Sequence, residues 1–201
     1  MNRTRKVFLA VMACVVLLFA TACGKNKASF NHGSWNGTTY TSEFFGIKVQ
    51  LGSDWTVLSD SELASMVGIS DLSESNIRSV FDKGGSLYEM MAVKTGGASM
   101  NITIQDSDKT VSLSKDQFFS AGIPLIKSQF EAMGYKVDAA KDTVSFMGKT
   151  ADCINLSLTV NNMTIHEILI PIFMDHYTAS INFGAVEKSE LYSLLAAVTA
   201  I

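Results

Sequence analysis

Four side chains that can bind metals or transfer protons lie close together in the C-terminal part of the sequence: His166, Glu167, Asp175 and His176. Imidazole and carboxylate groups serve proteins as zinc ligands and as general acids and bases. Their spacing does not match the helical His-Glu-x-x-His zinc motif, and adjacent residues of a predicted strand point to opposite faces. Asp175 and His176 form only a dipeptide in a predicted turn. The sequence therefore predicts no metal site and no catalytic group here.

Other catalytic patterns are absent from the sequence as well. It contains no Gly-x-Ser-x-Gly nucleophile motif, no Gly-x-Gly-x-x-Gly and no Walker motif, and Gly84-Gly85-Ser86 is better explained as the end of a helix. Any two of its 19 acidic residues could converge, but nothing selects a pair. We predict that the protein is not an enzyme and has no cofactor. A hydrolase with an unrecognised site is the least favoured alternative.

The N-terminal segment predicts export from the cytoplasm. Residues 1–6 carry three basic side chains, and residues 7–20 form an uninterrupted apolar run of 14 residues. As a helix this run spans about 20 Å, short of the roughly 30 Å hydrocarbon core of a bilayer. A positive head, a short apolar run and small residues after it are typical of a secretory signal. We predict a signal peptide over residues 1–22.

Cys23 follows the small residues Thr21 and Ala22 at the end of this signal. The arrangement resembles the lipobox of bacterial lipoproteins, and it departs from that pattern at Ala20, where the family usually carries leucine. The resemblance implies cleavage between Ala22 and Cys23 and attachment of a diacylglycerol to Cys23. An ordinary secreted protein or an uncleaved anchor is the alternative. Cys14 also follows a small residue, but lipidation there would leave residues 15–20 as exposed apolar chain.

Lipidation would decide where the protein resides. Each buried methylene contributes about 0.8 kcal/mol, and two or three acyl chains hold a protein stably on a bilayer. The expected location is therefore the extracytoplasmic face of the cell membrane, with the membrane as partner through lipidated Cys23. With Cys23 lipidated, Cys153 is the only free cysteine of the mature chain, which predicts a small buried residue and no disulfide.

The charge of the mature chain argues against nucleic acid as a partner. Removal of the leader leaves 13 basic and 19 acidic side chains, a net charge of −6. The lysines are dispersed and Arg78 is the only arginine, whereas binding to phosphate backbones requires a basic stripe. Residues 23–39 are rich in Gly, Asn, Ser and Lys, which predicts a flexible tether that includes His32. Residues 40–201 then form a single domain.

The hydropathy pattern of this domain predicts an α+β fold, a mostly antiparallel sheet with helices packed on it. Ser59 with Glu62 and Ser114 with Gln117 match capping boxes that begin two helices, and Pro124 should kink or divide the second one. A further helix is predicted over 74–83, and a last one over 188–198. Strands are predicted at 86–95, 99–105, 135–139, 143–146, 150–160, 163–174 and 177–183, with a two-residue turn at Asn161-Asn162.

The opening Tyr40-Thr41, Phe44-Phe45-Gly46-Ile47 and Trp55, with the later run of strands, resemble the PsbP-like fold. That α/β/α sandwich is shared by the extrinsic subunit of photosystem II, by Ran-binding import factors and by bacterial lipoproteins. The resemblance implies a binding or assembly module with a protein partner. A lipoprotein that binds a small ligand or an envelope glycan is the second alternative.

Overall fold

The computed structural model describes residues 30–108 and 114–201. The predicted signal peptide, its cleavage site and Cys23 lie outside the described residues. The helices are α1 (Asp60–Met66), α2 (Glu74–Asp82), α3 (Lys115–Ala132) and α4 (Lys188–Ala196). The strands are β1 (Ser34–Asn36), β2 (Thr39–Ser42), β3 (Ile47–Gln50), β4 (Trp55–Val57), β5 (Ser86–Lys94), β6 (Ser99–Asp106), β7 (Lys136–Phe146), β8 (Lys149–Val160), β9 (Met163–Met174), β10 (Tyr177–Ala185) and β11 (Val198–Ala200).

The strands form two antiparallel sheets. The larger has the order β4-β5-β6-β10-β9-β8-β7, and the smaller has the order β1-β2-β3-β11. Hairpins connect β7 to β10 in sequence, and Asn161 and Asn162 in one of their turns have φ values of 49° and 62°. Both residues of a type I′ turn need positive φ, so the predicted turn at this position is confirmed.

Helices and the smaller sheet cover the two faces of the larger sheet. One face packs against the smaller sheet, α2 and α4, with Met90, Ile102, Ile181 and Phe183 at most 1% exposed. On the other face, α3 covers β8 and β9, while α1 covers β5. The predicted α+β class is confirmed, with two sheets in place of one.

The helix boundaries follow the local sequence closely. Both predicted capping boxes are present, at Ser59 with Glu62 and at Ser114 with Gln117. Pro124 does not divide α3, which continues through it for 18 residues. Of the two expected effects, division of the helix is wrong, because Phe118, Phe119, Ile126 and Phe130 all pack on the same apolar cluster and hold both halves on the sheet.

Two predictions about the C-terminal half require correction. The two strands predicted at 135–139 and 143–146 are one strand, β7, because β8 pairs with it continuously from Lys136 to Phe146. The last helix ends at Ala196, and the chain then forms β11 against β3. Three residues are too few for a recognisable alternation, so this strand depends on its partner.

The predicted tether is wrong for the part that the structure describes. Residues 34–36 form β1, which pairs with β2, and Phe30 is 7% exposed in the main core. The ring of Phe30 contacts those of Phe44, Phe81 and Tyr177, at centroid distances of 5.0, 5.9 and 6.2 Å. A composition rich in Gly and Asn suggested a linker, but these aromatic contacts place the segment in the domain.

Candidate functional site

The four reactive residues singled out in the sequence do not form one site. His166 and Glu167 lie near the start of β9, whereas Asp175 and His176 lie in the turn after its end. Asp175 follows His166 by nine positions, and at about 3.3 Å per residue this separates them by roughly 30 Å. Within residues 30–108 and 114–201, no group of three or more His, Cys, Asp or Glu could hold a metal ion.

His166 and Glu167 occupy opposite faces of β9, as predicted. The Nδ1 atom of His166 lies 3.0 Å from Oγ of Ser157, its cross-strand neighbour, and burial lowers the pKa of His166. A serine hydrolase needs a serine and histidine in contact, and also a third group that orients the imidazole. No carboxylate of the described residues bonds His166, and neither it nor Ser157 lines the large groove described below. The contact is a cross-strand pair on the sheet.

Glu167 is 5% exposed among the apolar side chains between β9 and α3. Burial raises the pKa of this carboxyl to about 8, so that it is mostly protonated at neutral pH. Cys153 is completely buried in the main core, and burial, with the charges of Asp142 and Asp152, raises the pKa of its thiol to about 12. The sequence prediction of an inert, buried cysteine is confirmed.

A second buried carboxylate, Glu89, lies where the sequence analysis placed no site. In β5, Tyr88 pairs with Thr103 and Met90 pairs with Ile102, so Glu89 is the extra residue of a β-bulge. Its side chain is fully buried at the junction between the two sheets. Alternation places Glu89 on the same face of β5 as Leu87, towards the smaller sheet, and the bulge adds Met90 to that face directly after it.

Four groups from residues 32–42 bond to this carboxylate, and the Ser42 hydroxyl, 3.4 Å from Oε1, is the most distant of them. Oε1 accepts hydrogen bonds from the Tyr40 hydroxyl at 2.5 Å and the Gly33 backbone N–H at 2.7 Å. Oε2 lies 2.6 Å from Nδ1 of His32, whose Nε2 lies 3.5 Å from the exposed carboxylate of Asp60. We call Glu89, His32, Gly33 and Tyr40 the Glu89 cluster.

The charge of Glu89 shifts the pKa values of the other titratable groups of the Glu89 cluster. Burial by itself lowers the pKa of His32. The hydrogen bond and the charge of Glu89 raise this pKa by more, and Asp60 raises it further. The pKa of His32 therefore lies above its ordinary value. Burial, with the charge of Glu89, raises the pKa of Tyr40 far above its usual range. Tyr40 therefore stays protonated and donates its hydrogen to Glu89.

Gly33 fits this cluster because a side chain there has no space. A Cβ atom at Gly33 would overlap the Tyr40 hydroxyl and lie 2.7 Å from the Thr41 carbonyl oxygen. The carboxylate of Glu89 is fully buried and both of its oxygens are bonded by groups of the same chain, so it has no surface open to a substrate. The geometry holds the N-terminal segment in place, and it offers no nucleophile.

An open groove of about 800 Å³ lies where the two sheets end. It lies between β7, the last strand of the larger sheet, and β11, the last strand of the smaller one. Tyr192, Leu195 and Ala196 of α4 line it, as does the Met147-Gly148 turn. We call this site the edge groove. Its size is in the range of binding sites for drug-sized ligands, about 300–1,000 Å³.

Tyr192 is the most prominent side chain of the edge groove, with 56% of its surface exposed. Exposed tyrosines are enriched at protein interfaces because the ring is apolar and the hydroxyl can bond. The lining residues Ala196, Ala200 and Gly148 have small side chains or none, so they leave space in the groove. Asp142 is the only charged residue among the described ones that line it. Sequence reasoning missed the groove because β11 was not predicted.

Comparisons with known proteins give similarity at the level of structure only. No protein-family model matches the chain, and no curated protein matches it. It is similar to the solution structure of cyanobacterial PsbP (CyanoP) from Synechocystis, with 10% identity and a TM-score of 0.49 over 90% of this chain and 98% of that one. It is also similar to LpqN, involved in cell envelope biogenesis of Mycobacterium tuberculosis, with 13% identity and a TM-score of 0.38 over 76% of this chain and 82% of that one.

None of the helices within the described part of the chain combines the length and the apolar character needed to cross a bilayer.

Proposed function

We propose that the protein is a lipid-anchored, extracytoplasmic binding module that holds a protein partner in the edge groove. The observation that carries this proposal is the groove itself, about 800 Å³ in volume, open to solvent and bordered by an exposed tyrosine. The titratable groups support a binding role, because the Glu89 cluster is closed and His166, Glu167, Asp175 and His176 are dispersed. The anchor is proposed at Cys23, after cleavage of residues 1–22.

The partner is proposed to be a protein because of the chemistry of the groove walls. Tyr192 offers a large amphipathic surface, and the walls beside it are built from small side chains and strand backbone. Interfaces concentrate their binding energy in such exposed aromatic residues surrounded by less critical contacts. The other polar side chains of the described lining are hydroxyls, and Asp142 is its only carboxylate, so a charged small ligand would find a single ionic contact there.

Photo-crosslinking in living cells tests the site. The full chain would carry p-benzoylphenylalanine at Tyr192, and a matched control would carry it at Met66, which is 36% exposed on α1. We expect a discrete adduct with one polypeptide from Tyr192 and none from Met66. Ala196→Trp in the Tyr192 probe should fill the groove and remove the adduct, whereas Ala196→Ser should keep it. No adduct at Tyr192, or equal adducts at both positions, would contradict the proposal.

A separate labelling experiment tests the anchor. Cys23→Ser should abolish incorporation of a clickable fatty acid and release the protein from membranes, because the thiol is the attachment point. Cys14→Ser is the matched control and should change neither result. Continued labelling and sedimentation of the Cys23→Ser protein would show that the anchor is elsewhere.

A further inference from the structure

The two long walls of the edge groove are open sheet edges. Within the described residues, β7 pairs only with β8, and β11 pairs only with β3. The outer side of an edge strand carries backbone N–H and C=O groups without strand partners, which is a template for another extended chain. β7 is 11 residues long, so its edge is long enough to accept one.

The β7–β8 turn determines which backbone groups point outward. Met147 and Gly148 have φ values of 50° and 72°, which defines a two-residue type I′ turn flanked by the bonded pair Phe146 and Lys149. Bonded and non-bonded pairs alternate along an antiparallel ladder. Ser145, opposite Thr150, is therefore in a non-bonded pair, and its N–H and C=O point away from β8.

Thr143 provides an independent check of this alternation. It is two residues before Ser145 and should also point its N–H outward. That N–H donates to Oδ1 of its neighbour Asp142 at 2.8 Å, a bond that a group paired with β8 could not make. Asp142 thus covers one outward N–H of the edge, while that of Ser145 has no hydrogen bond within the described chain.

Charge is distributed unevenly along this edge. Lys136, Asp138, Lys141 and Asp142 protect its first part, and Lys141 lies within 3.9 Å of both Asp116 and Asp152. Charged side chains on an edge strand discourage pairing with other chains. The last four residues, 143–146, carry no charge, and this is the part that lines the groove. The single lining carboxylate, Asp142, favours a neutral or basic occupant.

We infer that the partner contributes an extended, neutral or basic segment that adds to β7 as a strand, hydrogen-bonding to the backbone of Ser145 and packing a side chain against Tyr192. This inference rests on the proposed function, because it specifies how the partner occupies the edge groove. It predicts recognition of a backbone conformation, so the side chain of Ser145 should be dispensable while its N–H is not.

The test uses the full chain and a displayed library of random decapeptides as the probe, with selected peptides measured by surface plasmon resonance. Ser145→Pro removes the outward N–H and leaves the bonds to β8 intact, as proline is tolerated at such edge positions. Ser145→Ala keeps the N–H and is the matched control. We expect Ser145→Pro to weaken binding at least tenfold and Ser145→Ala less than twofold, with unchanged circular dichroism in both.

Amide hydrogen exchange gives a second measurement that does not depend on variants. Exchange of the Ser145 N–H in the unmodified protein should slow at least tenfold when a selected peptide is bound. Unchanged exchange, equal binding by Ser145→Pro, or a library without binders would overturn the strand inference. Self-association lost in Ser145→Pro would also overturn it, because the occupant would be a second copy. Whichever of these results is obtained, photo-crosslinking at Tyr192 tests the proposed function separately from the strand inference.

Discussion

The Glu89 cluster and the edge groove differ in whether their polar groups have hydrogen-bond partners within the chain. In the Glu89 cluster a buried carboxylate is bonded by an imidazole, a hydroxyl and a backbone N–H of the same chain. In the edge groove, strand backbone faces solvent and remains available. Buried polar groups that lack partners cost about 1–3 kcal/mol each, so the first arrangement must be complete within the fold. The backbone groups of the edge groove need no partner within the fold, since water forms hydrogen bonds with them until a partner binds.

The largest effect should come from removing the N-terminal segment that completes the Glu89 cluster. A chain beginning at Tyr40 lacks Phe30, His32, Gly33 and β1, whereas a chain beginning at Gly24 retains them. We expect the shorter chain to lose on the order of 5 kcal/mol or more in free energy of unfolding, since deleting one buried phenylalanine ring costs about 3–5 kcal/mol. Urea denaturation of the two chains measures this. Equal stabilities would mean that residues 30–39 are dispensable.

Glu89→Ala should have the next largest effect. It leaves His32, the Tyr40 hydroxyl and the Gly33 N–H without their acceptor, and breaking a buried pair costs about 3–5 kcal/mol. Glu43→Ala, at an exposed glutamate, is the control and should stay within about 0.5 kcal/mol. The denaturant midpoints of the two variants, compared with that of the unmodified protein, measure both losses. Similar losses in the two would remove the distinction between the closed cluster and an ordinary surface carboxylate.

Stability should fall as the pH rises from 5 to 8. The unfolded chain releases the Glu167 proton near pH 4.5, but the folded chain keeps it up to about pH 8, giving a slope of about −1.4 kcal/mol per pH unit. The raised pKa of His32 acts in the same direction, with its stabilisation complete below pH 6.5 and lost as the pH rises through the folded-state value.

Two variants separate these contributions in unfolding curves recorded at pH 5–9. Glu167→Gln should remove the slope that begins below pH 6, because the amide has no proton to release. His32→Asn should remove only the additional slope above pH 6.5 and leave the contribution of Glu167, which extends to about pH 8. A flat profile in the unmodified protein would show that neither group keeps its proton through folding.

The smallest effect on stability should come from the edge groove. Tyr192 is 56% exposed, so Tyr192→Ser should change the free energy of unfolding by no more than about 0.5 kcal/mol. The same variant should reduce binding of the selected decapeptides, because the aromatic contact is lost. Thermal melts and binding curves from one preparation give both numbers. A large loss of stability would place Tyr192 in the core and weaken its assignment as a binding residue.

Residues with strong local signals were predicted well from the sequence. Ser59 and Ser114 begin helices because their hydroxyls and the third residue after each complete capping boxes. Asn161-Asn162 makes a tight turn because both residues tolerate positive φ. Glu89 carried a usable signal that was missed: a single charge within Leu87-Tyr88-Glu89-Met90-Met91 requires a buried partner for its carboxylate.

The sequence by itself determined the α+β class, the caps, the turn and the buried Cys153, since each depends on neighbouring residues or on alternation along one strand. Only the tertiary structure decided that His32 bonds Glu89, because the two residues are 57 positions apart and meet only when the N-terminal segment packs against β5. The edge groove likewise exists only after folding. Its walls are strands from the ends of two different sheets, and no local pattern specifies which strand will be left at an edge.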